Sequence, residues 1–581
     1  MDNSDNFDKE EKWLNEVYQG NKMIELSLKV FLVGAILSVL LIASNIYVGL
    51  KIGFIQGGSL IAAVLGFAII KTFKGKLSVL ENNNIQTMAS AGATLGIMVS
   101  AIPALIMLGF NFSWYELLIW IFLANILGVI FAIPLRKQFI VIENLTFPSG
   151  TACAATIQAM HTKESKSIEK AKWLGVTGLF SGIITWFRDG IPAIIPGITF
   201  FPGKIGSNSL AGMLIGVNWS PMLIGIGFLV GARIGISLFL GSIIGWVILG
   251  PILANAHVIE GTGFGAIRTW TMWTAIALMV ASGITSLFLK AGTILKAFKS
   301  MKQVKLNKSN QLEFSLNSWL IIFLSATILI AIIMQLVFEI PIWMTIVAVV
   351  ISYLFSIVAI RIYGETDLNP VGAMAYGTQI IYSGISPGNM LTNIMAAGVA
   401  ASGANQSADM MQDFKTGYLL GATPKKQTYA QIVGVTVGSI AAVPIFYTII
   451  NAYSLGSENL PAPSAVTWSG MAKFLSIGFS ALPPYAYIGI IAGIVLGILL
   501  SILENTNIKR FTPSPFGIGI AMFFPGYYTI PIFLGSIIRL ILEKIFPSWM
   551  ESYATSIASG GIVGESILGV IIAILMVSEI I

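Results

Sequence analysis

Ionisable residues are sparse in this chain, and the few that interrupt its apolar stretches are the candidates for chemistry. The decapeptide RIYGETDLNP, Arg361 to Pro370, places Arg361, Glu365 and Asp367 between the uncharged stretches Trp343–Ile360 and Val371–Ile385. Asn369-Pro370 then stops the helix, because proline lacks a backbone N–H and restricts the residue before it. An unwound backbone offers carbonyl groups, and a new helix start offers free N–H groups to an anion. A second cluster, Ala401–Gln427, carries Asp409 and Asp413 four residues apart on one helical face, with Gln406 and Lys415 nearby. One of these carboxylates, partly desolvated, could load a proton; the plainer reading is an amphipathic connector. A third cluster is Arg188-Asp189, which cuts an apolar stretch, and a fourth runs from Lys51 through Glu81, Asn82, Asn83, Asn84, Gln86 and Thr87. Glu565 lies inside the last apolar run, and Arg233 stands alone in VGARIG. A charge at the bilayer centre costs about 2.5–3.5 kcal/mol on insertion scales, so it persists when paired or facing water.

These residues need elements to hold them. The 581 residues are 56% hydrophobic and 10% charged, with mean hydropathy +0.85. A soluble domain is roughly 25% charged, and a single soluble core does not reach this size with so little polar surface. Leu26–Tyr47, Ile85–Leu108, Leu117–Leu135, Leu316–Phe338, Ile432–Ile450, Tyr485–Ile502 and Ile562–Val577 are apolar runs near the roughly 20 residues a spanning helix needs. They do not alternate as barrel strands would. The fold class is therefore an all-α polytopic membrane protein. Its basic residues sit in loops, a pattern of topology rather than of nucleic-acid binding. Placing the Lys/Arg loops inside gives a multi-pass protein of the cytoplasmic membrane with a cytoplasmic N-terminus. Phe147–Met160 and Phe516–Phe524 are then too short to cross twice and read as re-entrant or broken elements.

The acidic segment 1–24 reads as a cytoplasmic tail and 25–290 as an N-terminal transmembrane half. Lys290–Lys308 holds six lysines and no acid, so 291–314 reads as a basic linker, with a C-terminal half over 315–581. FLGSII occurs at Phe239–Ile244 and at Phe533–Ile538, and three looser matches follow the same order. This points to two repeated halves. The placement of FPSG (Phe147–Gly150) against FTPSPFG (Phe511–Gly517) favours a parallel relation.

Enzyme signatures are thin. Gly384–Gly388 fits the letters of a serine-hydrolase elbow around Ser386, without the strand–turn–helix context. His161 and His257 are not at metal spacing, the one cysteine, Cys153, offers no disulfide, and no P-loop occurs. No metal site, cofactor or nucleic-acid partner is expected. The many glycines at four-residue spacing are packing devices.

SNIYVGLKIGF, ENNNIQTMASAGATLG, FIVIENLTFPSGTACA, FLVGARIGISLFLG, GETDLNPVG, ADMMQDFKTGYLLGATPKKQ and PSPFGIGIAMFFPG extend in order from about Ser44 to Glu565. With these segments the chain resembles the prokaryotic branch of the oligopeptide transporter (OPT) family. The resemblance implies about 16 transmembrane segments and proton-coupled import of small peptides, or of related metal chelates in the plant branch. The expected activity is symport of protons with a peptide or peptide-like solute. Alternatives are a metal-chelate (siderophore-type) symporter, an intramembrane enzyme using Ser386 or an acid pair, and a passive channel. Proton-coupling candidates are Glu365, Asp367, Asp409, Asp413 and Glu565. Substrate-binding candidates are Arg188, Arg233 and Arg361, with Phe147, Ser149, Asn369, Tyr376 and Gln379 around the two helix breaks. A homo-oligomer is left open.

Overall fold

Helix-forming apolar sequence becomes helix almost throughout. In the computed structural model the described residues are 11–289, 292, 312–578 and 580, apart from 54, 56, 74, 163, 206, 367, 368 and 510. The N-terminal half contains α1 (Leu28–Ile52), α2 (Ser59–Thr72), α3 (Val79–Ala93), α4 (Ala101–Met107), α5 (Trp114–Arg136), α6 (Pro148–Thr162), α7 (Glu164–Asp189), α8 (Pro221–Ser242), α9 (Gly250–Asn255) and α10 (Phe264–Leu289). After the basic linker come α11 (Leu316–Phe338), α12 (Ile342–Thr366), α13 (Val371–Ile385), α14 (Met390–Leu420), α15 (Pro424–Tyr453) and α16 (Pro463–Ile477). The chain closes with α17 (Ala486–Glu504), α18 (Pro515–Ala521), α19 (Gly526–Ile545) and α20 (Pro547–Val577). Sheet among the described residues is confined to two short antiparallel pairs: β1 (Ile198–Phe200) with β4 (Gly216–Asn218), and β2 (Lys204–Ile205) with β3 (Asn208–Ser209).

Among the described residues, ten helices are long and apolar enough to cross a membrane. The all-α polytopic class stands. The expected count of about sixteen is not reached by length and apolarity alone, because several elements are short or polar.

The layering is that of a membrane protein, apolar outside and polar within. Ile321 and Leu336 on α11, and Ile491 and Val495 on α17, are exposed. By contrast α3 is buried although it carries Asn82, Asn83, Asn84 and Gln86. Ser78 and Glu81 close its N-terminus as a capping box, each side chain bonding the other's backbone N–H at 2.9 Å. The 31-residue α14 is buried along nearly its whole length. These two polar helices form the interior, since each must satisfy side chains that lipid would not accept.

Several backbone interruptions match expectation. α12 ends and α13 begins around Asn369-Pro370. Phe147 adopts φ 41° just before α6. α18 is seven residues long and breaks at Pro525-Gly526 before α19. A further break, at Gly231 (φ 79°) inside α8, had no signal beyond the glycine itself.

Helix packing is reciprocal. α7 packs most extensively on α20, and α10 on α17; α1 packs on α3, and α12 on α14; α5 packs on α14, and α3 on α15. At atomic detail, Gly241 lies against Ile518 and Gly535 against Ile224; Gly535 follows Gly241, and Ile518 follows Ile224, by the same 294 residues. Phe239 and Phe533, also 294 apart, stack on each other at 4.7 Å. Such isologous contacts belong to a pseudo-two-fold arrangement that matches α1–α10 to α12–α20 and leaves α11 outside.

This arrangement corrects the parallel relation suggested by FPSG and FTPSPFG. Those motifs start α6 and α18, which are not counterparts; the counterpart of α6 is α16. Lys425 and Lys426 begin α15, whereas Arg136 ends its counterpart α5. By the Lys/Arg criterion the halves are therefore inverted.

The described part of the N-terminal segment docks on the α14–α15 corner. Trp13 stacks on Tyr418 at 5.2 Å and donates to its carbonyl oxygen at 2.7 Å. Gln19 N–H donates to Gly421 O at 2.9 Å, and Glu25 accepts from Thr423 N–H at 2.9 Å and pairs with Lys426 at 3.0 Å.

Candidate functional site

The acids on α14 sit in the middle of the protein. Asp409 is 5% exposed and Asp413 0%. Helical spacing puts them on one face, turned toward α2, α3 and α15. Ser90 Oγ lies 3.2 and 3.0 Å from the two carboxylate oxygens of Asp409, and Thr94 Oγ1 donates to Oδ2 at 3.3 Å. Ser59, the first residue of α2, donates from Oγ to Asp413 Oδ1 at 3.1 Å and lies 3.0 Å from Ser90 Oγ. Asp409, Ser90, Ser59 and Asp413 thus form one continuous hydrogen-bonded chain. Asp413 Oδ2 is buried without a well-formed hydrogen bond among the described residues, and the Gln86 amide adjoins the carboxylate.

Neither acid has an ion-pair partner among the described residues. Lys415, two positions on, is drawn away to Asn144 Oδ1 at 2.8 Å. Lys426 is held by Glu25, and Lys29 pairs with Glu81 at 2.9 Å. Two adjacent carboxylates in a dry interior repel each other and lose hydration, so the site favours taking up a cation.

The α12–α13 break adjoins this pair. Asn369 Nδ2 donates to Asn405 Oδ1 at 3.1 Å, and Asn405 Nδ2 donates to Thr94 O at 2.8 Å. The α6 break meets the end of α12, where Gly364 O accepts from Phe147 N–H and Thr146 Oγ1, both at 2.9 Å. Arg361 donates to Glu143 at 2.6 Å and to Glu365 at 3.0 Å, tying α12 to the turn before α6. Glu365 is exposed, and Asp367 lies outside the described residues. Phe147 is 1% exposed, so its side chain is a core plug and only its backbone faces the break. Ser149 is half-buried; Tyr376 and Gln379 are buried on α13, where Gln379 Nε2 donates to Trp468 O at 3.3 Å.

The other candidates lie elsewhere. Arg188 and Glu565, 377 residues apart, pair at 2.9 Å. Arg188 also bonds Asp189 Oδ1 at 2.7 Å and Trp219 O at 3.1 Å. Glu565 accepts from Ser220 Oγ at 2.8 Å and from Met222 N–H at 2.9 Å, so it caps the N-terminus of α8, where a negative charge is favoured. Arg233 is paired with Glu504 and donates to Thr512 O at 2.8 Å. Each of the three arginines thus already has an acid on it. Lys51 lies 4.6 Å from the Tyr47 ring and 5.8 Å from that of Tyr453, with no ion pair among the described residues.

Sequence reasoning missed Ser59, Ser90, Thr94 and Gln431. Ser90 and Thr94 carried a signal, being one turn apart on a helix of small residues. Ser59 carried none, because it reaches Asp413 only through folding.

A family model described as OPT oligopeptide transporter protein matches residues 25–576. A Haemophilus influenzae protein named as an oligopeptide transporter is 26% identical, covering 92% of this chain and 93% of its own. A rice protein named as a metal-nicotianamine transporter is 25% identical, covering 94% of this chain and 84% of its own. A Saccharomyces cerevisiae protein named as an oligopeptide transporter is 26% identical, covering 94% and 95%. With its apolar helices around a polar interior and a family match across nearly all of its length, this chain is a multi-pass membrane protein belonging to the OPT oligopeptide transporter family.

Proposed function

We propose that the protein is a secondary transporter, symporting protons with short peptides or peptide-like solutes across the cytoplasmic membrane, its N-terminus inside. The observation that carries this reading is the buried pair Asp409–Asp413. It has no ion-pair partner among the described residues, and it is joined through Thr94 and Asn405 to the α12–α13 break. A group that changes charge beside a hinge-like break is what coupling requires, because an ion can bias two states only by binding them differently. Asp409 and Asp413 carry the proton in this reading. Glu565, paired with Arg188 of the other half, acts as a lock between the halves, and Glu365 steadies Arg361 on its own helix for the cross-half pair with Glu143. Asn369, Tyr376, Gln379, Ser149 and the backbone at Phe147–Gly150 line the path for the solute. One charge crossing about 100 mV releases about 2.3 kcal/mol, enough to concentrate a neutral solute.

The relatives are named both for oligopeptides and for metal–nicotianamine, so a metal chelate is the second substrate reading. The test is uptake into proteoliposomes of labelled di- to tetrapeptides and of an iron chelate, under an imposed pH gradient. Asp409→Asn and Asp413→Asn should abolish gradient-driven accumulation while the detergent melt stays cooperative. Uptake that ignores both pH gradient and voltage overturns the reading, as does peptide hydrolysis without transport.

A further inference from the structure

We propose that the acid pair on α14 is also a sodium-binding cage, in which Na⁺ and the proton compete for the same carboxylates. This rests on the coupling reading above and names a second ion for its site.

The ligand set is the first argument. The side chains converging there are the carboxylates of Asp409 and Asp413, the hydroxyls of Ser59, Ser90 and Thr94, and the amides of Gln86 and Gln431. They come from four elements: α2, α3, α14 and α15. Oxygen donors without imidazole or bonded thiolate select hard cations over transition metals.

The second argument is independent of the acids. Gln431 is fully buried against Asp409, and its amide has no other partner among the described residues. Gln86 Oε1, beside Asp413, is likewise buried and unpartnered. Buried amide oxygens left unbonded are costly, and a bound cation would satisfy them together with Asp413 Oδ2.

The charge of the ion follows from the two acids together. Asp409 is held by the hydroxyls of Ser90 and Thr94, whereas Asp413 has the Ser59 hydroxyl on Oδ1 and the Gln86 amide beside it. Two adjacent buried carboxylates do not both ionise readily; with one proton kept by the pair the site carries a single negative charge and takes a monovalent cation.

Among the described residues the nearby basic groups are engaged elsewhere. Lys415 is bound to Asn144, Lys426 to Glu25, and Arg361 to Glu143 and Glu365. Lys425 lies over the Phe314 ring at 5.4 Å, and Glu81 is paired with Lys29. Arg136, on the neighbouring α5, is paired with Glu313. From α6 the Cys153 thiol is buried near Asp413 and Thr416.

The test uses the full-length protein in detergent. Its melting temperature is followed while NaCl replaces choline chloride at constant ionic strength, at about pH 6 and about pH 8, with KCl, CaCl₂ and MgCl₂ as parallel arms. Sodium should stabilise at the higher pH. Its half-saturating concentration should rise by up to about tenfold per pH unit as pH falls, the limit for one-for-one exchange. Asp413→Asn should remove the response, and the milder Ser59→Ala and Gln431→Leu should raise the half-saturating concentration in proteins that still melt cooperatively. Sodium behaving like choline at the higher pH overturns the cage, as does an equal response in Asp413→Asn, or stabilisation by Ca²⁺ or Mg²⁺ in its place. Uptake driven by a pH gradient in a protein indifferent to sodium would sink this inference alone. Uptake indifferent to both ions would sink the coupling reading beneath it.

Discussion

At the scale of single residues, burial separates two kinds of charge. Arg188 and Glu565 are 7% and 0% exposed and 2.9 Å apart. Removing one member of such a pair strands the other in a dry interior. Arg188→Met should therefore cost about 3–5 kcal/mol, read as a large drop in the melting midpoint. Glu543→Gln breaks only a solvent-facing i,i+4 pair with Arg539 at 2.7 Å and should cost at most about 1 kcal/mol. Equal losses in the two variants would mean that the Arg188–Glu565 contact is not a structural lock. The acid pair on α14 behaves in the opposite sense. Asp409→Asn and Asp413→Asn relieve like-charge repulsion, so their melts should hold or improve, while gradient-driven uptake falls at least about tenfold, a change of about 1.4 kcal/mol or more in the barrier.

At the scale of elements, close helix approach depends on a few glycines. A Cβ at Gly227 would fall within the van der Waals shell of Ile532 O, where α8 crosses α19. Gly175, on α7, has nothing within 4 Å of its would-be Cβ. Gly227→Ala should overpack the crossing at a cost of about 1–3 kcal/mol. Gly175→Ala should be neutral or slightly stabilising, because alanine is the better helix former. Side-by-side melts of the purified variants decide this, and a harmless Gly227→Ala would show that the two helices can part. The breaks are equally local in origin. Pro370 follows the end of α12, Pro148 opens α6, and Pro515 opens α18. Each lacks the N–H that would continue the preceding turn.

At the scale of the whole molecule, the reciprocal packing makes the halves one body, and the N-terminal segment clasps the end of the helix that carries the acid pair. Trp13, 6% exposed, stacks on Tyr418 one and a half turns beyond Asp413. Trp13→Ala should loosen that corner at less than the roughly 3–5 kcal/mol of a core tryptophan. Hydrogen–deuterium exchange should rise over residues 414–426 and stay unchanged in α17. A uniform rise across the chain would show instead that Trp13 supports the fold globally.

Much was legible in the chain without coordinates. The apolar runs, the helix breaks at Asn369-Pro370 and before Pro148, and the one-face spacing of Asp409 and Asp413 all follow from patterns a few residues long, and lipid enforces them. The inverted relation of the halves was not legible, because the short motifs that suggested a parallel one sit on elements that are not counterparts. Which acids carry a partner was equally hidden. Glu565 finds Arg188 across 377 residues, while Asp413 finds the neutral hydroxyl of Ser59 across 354 and no basic side chain among the described residues. Such pairings are set by which helix faces meet when the bundle packs. A charge's local sequence states its type and spacing, but its energy in a dry interior depends on groups that only the fold brings near.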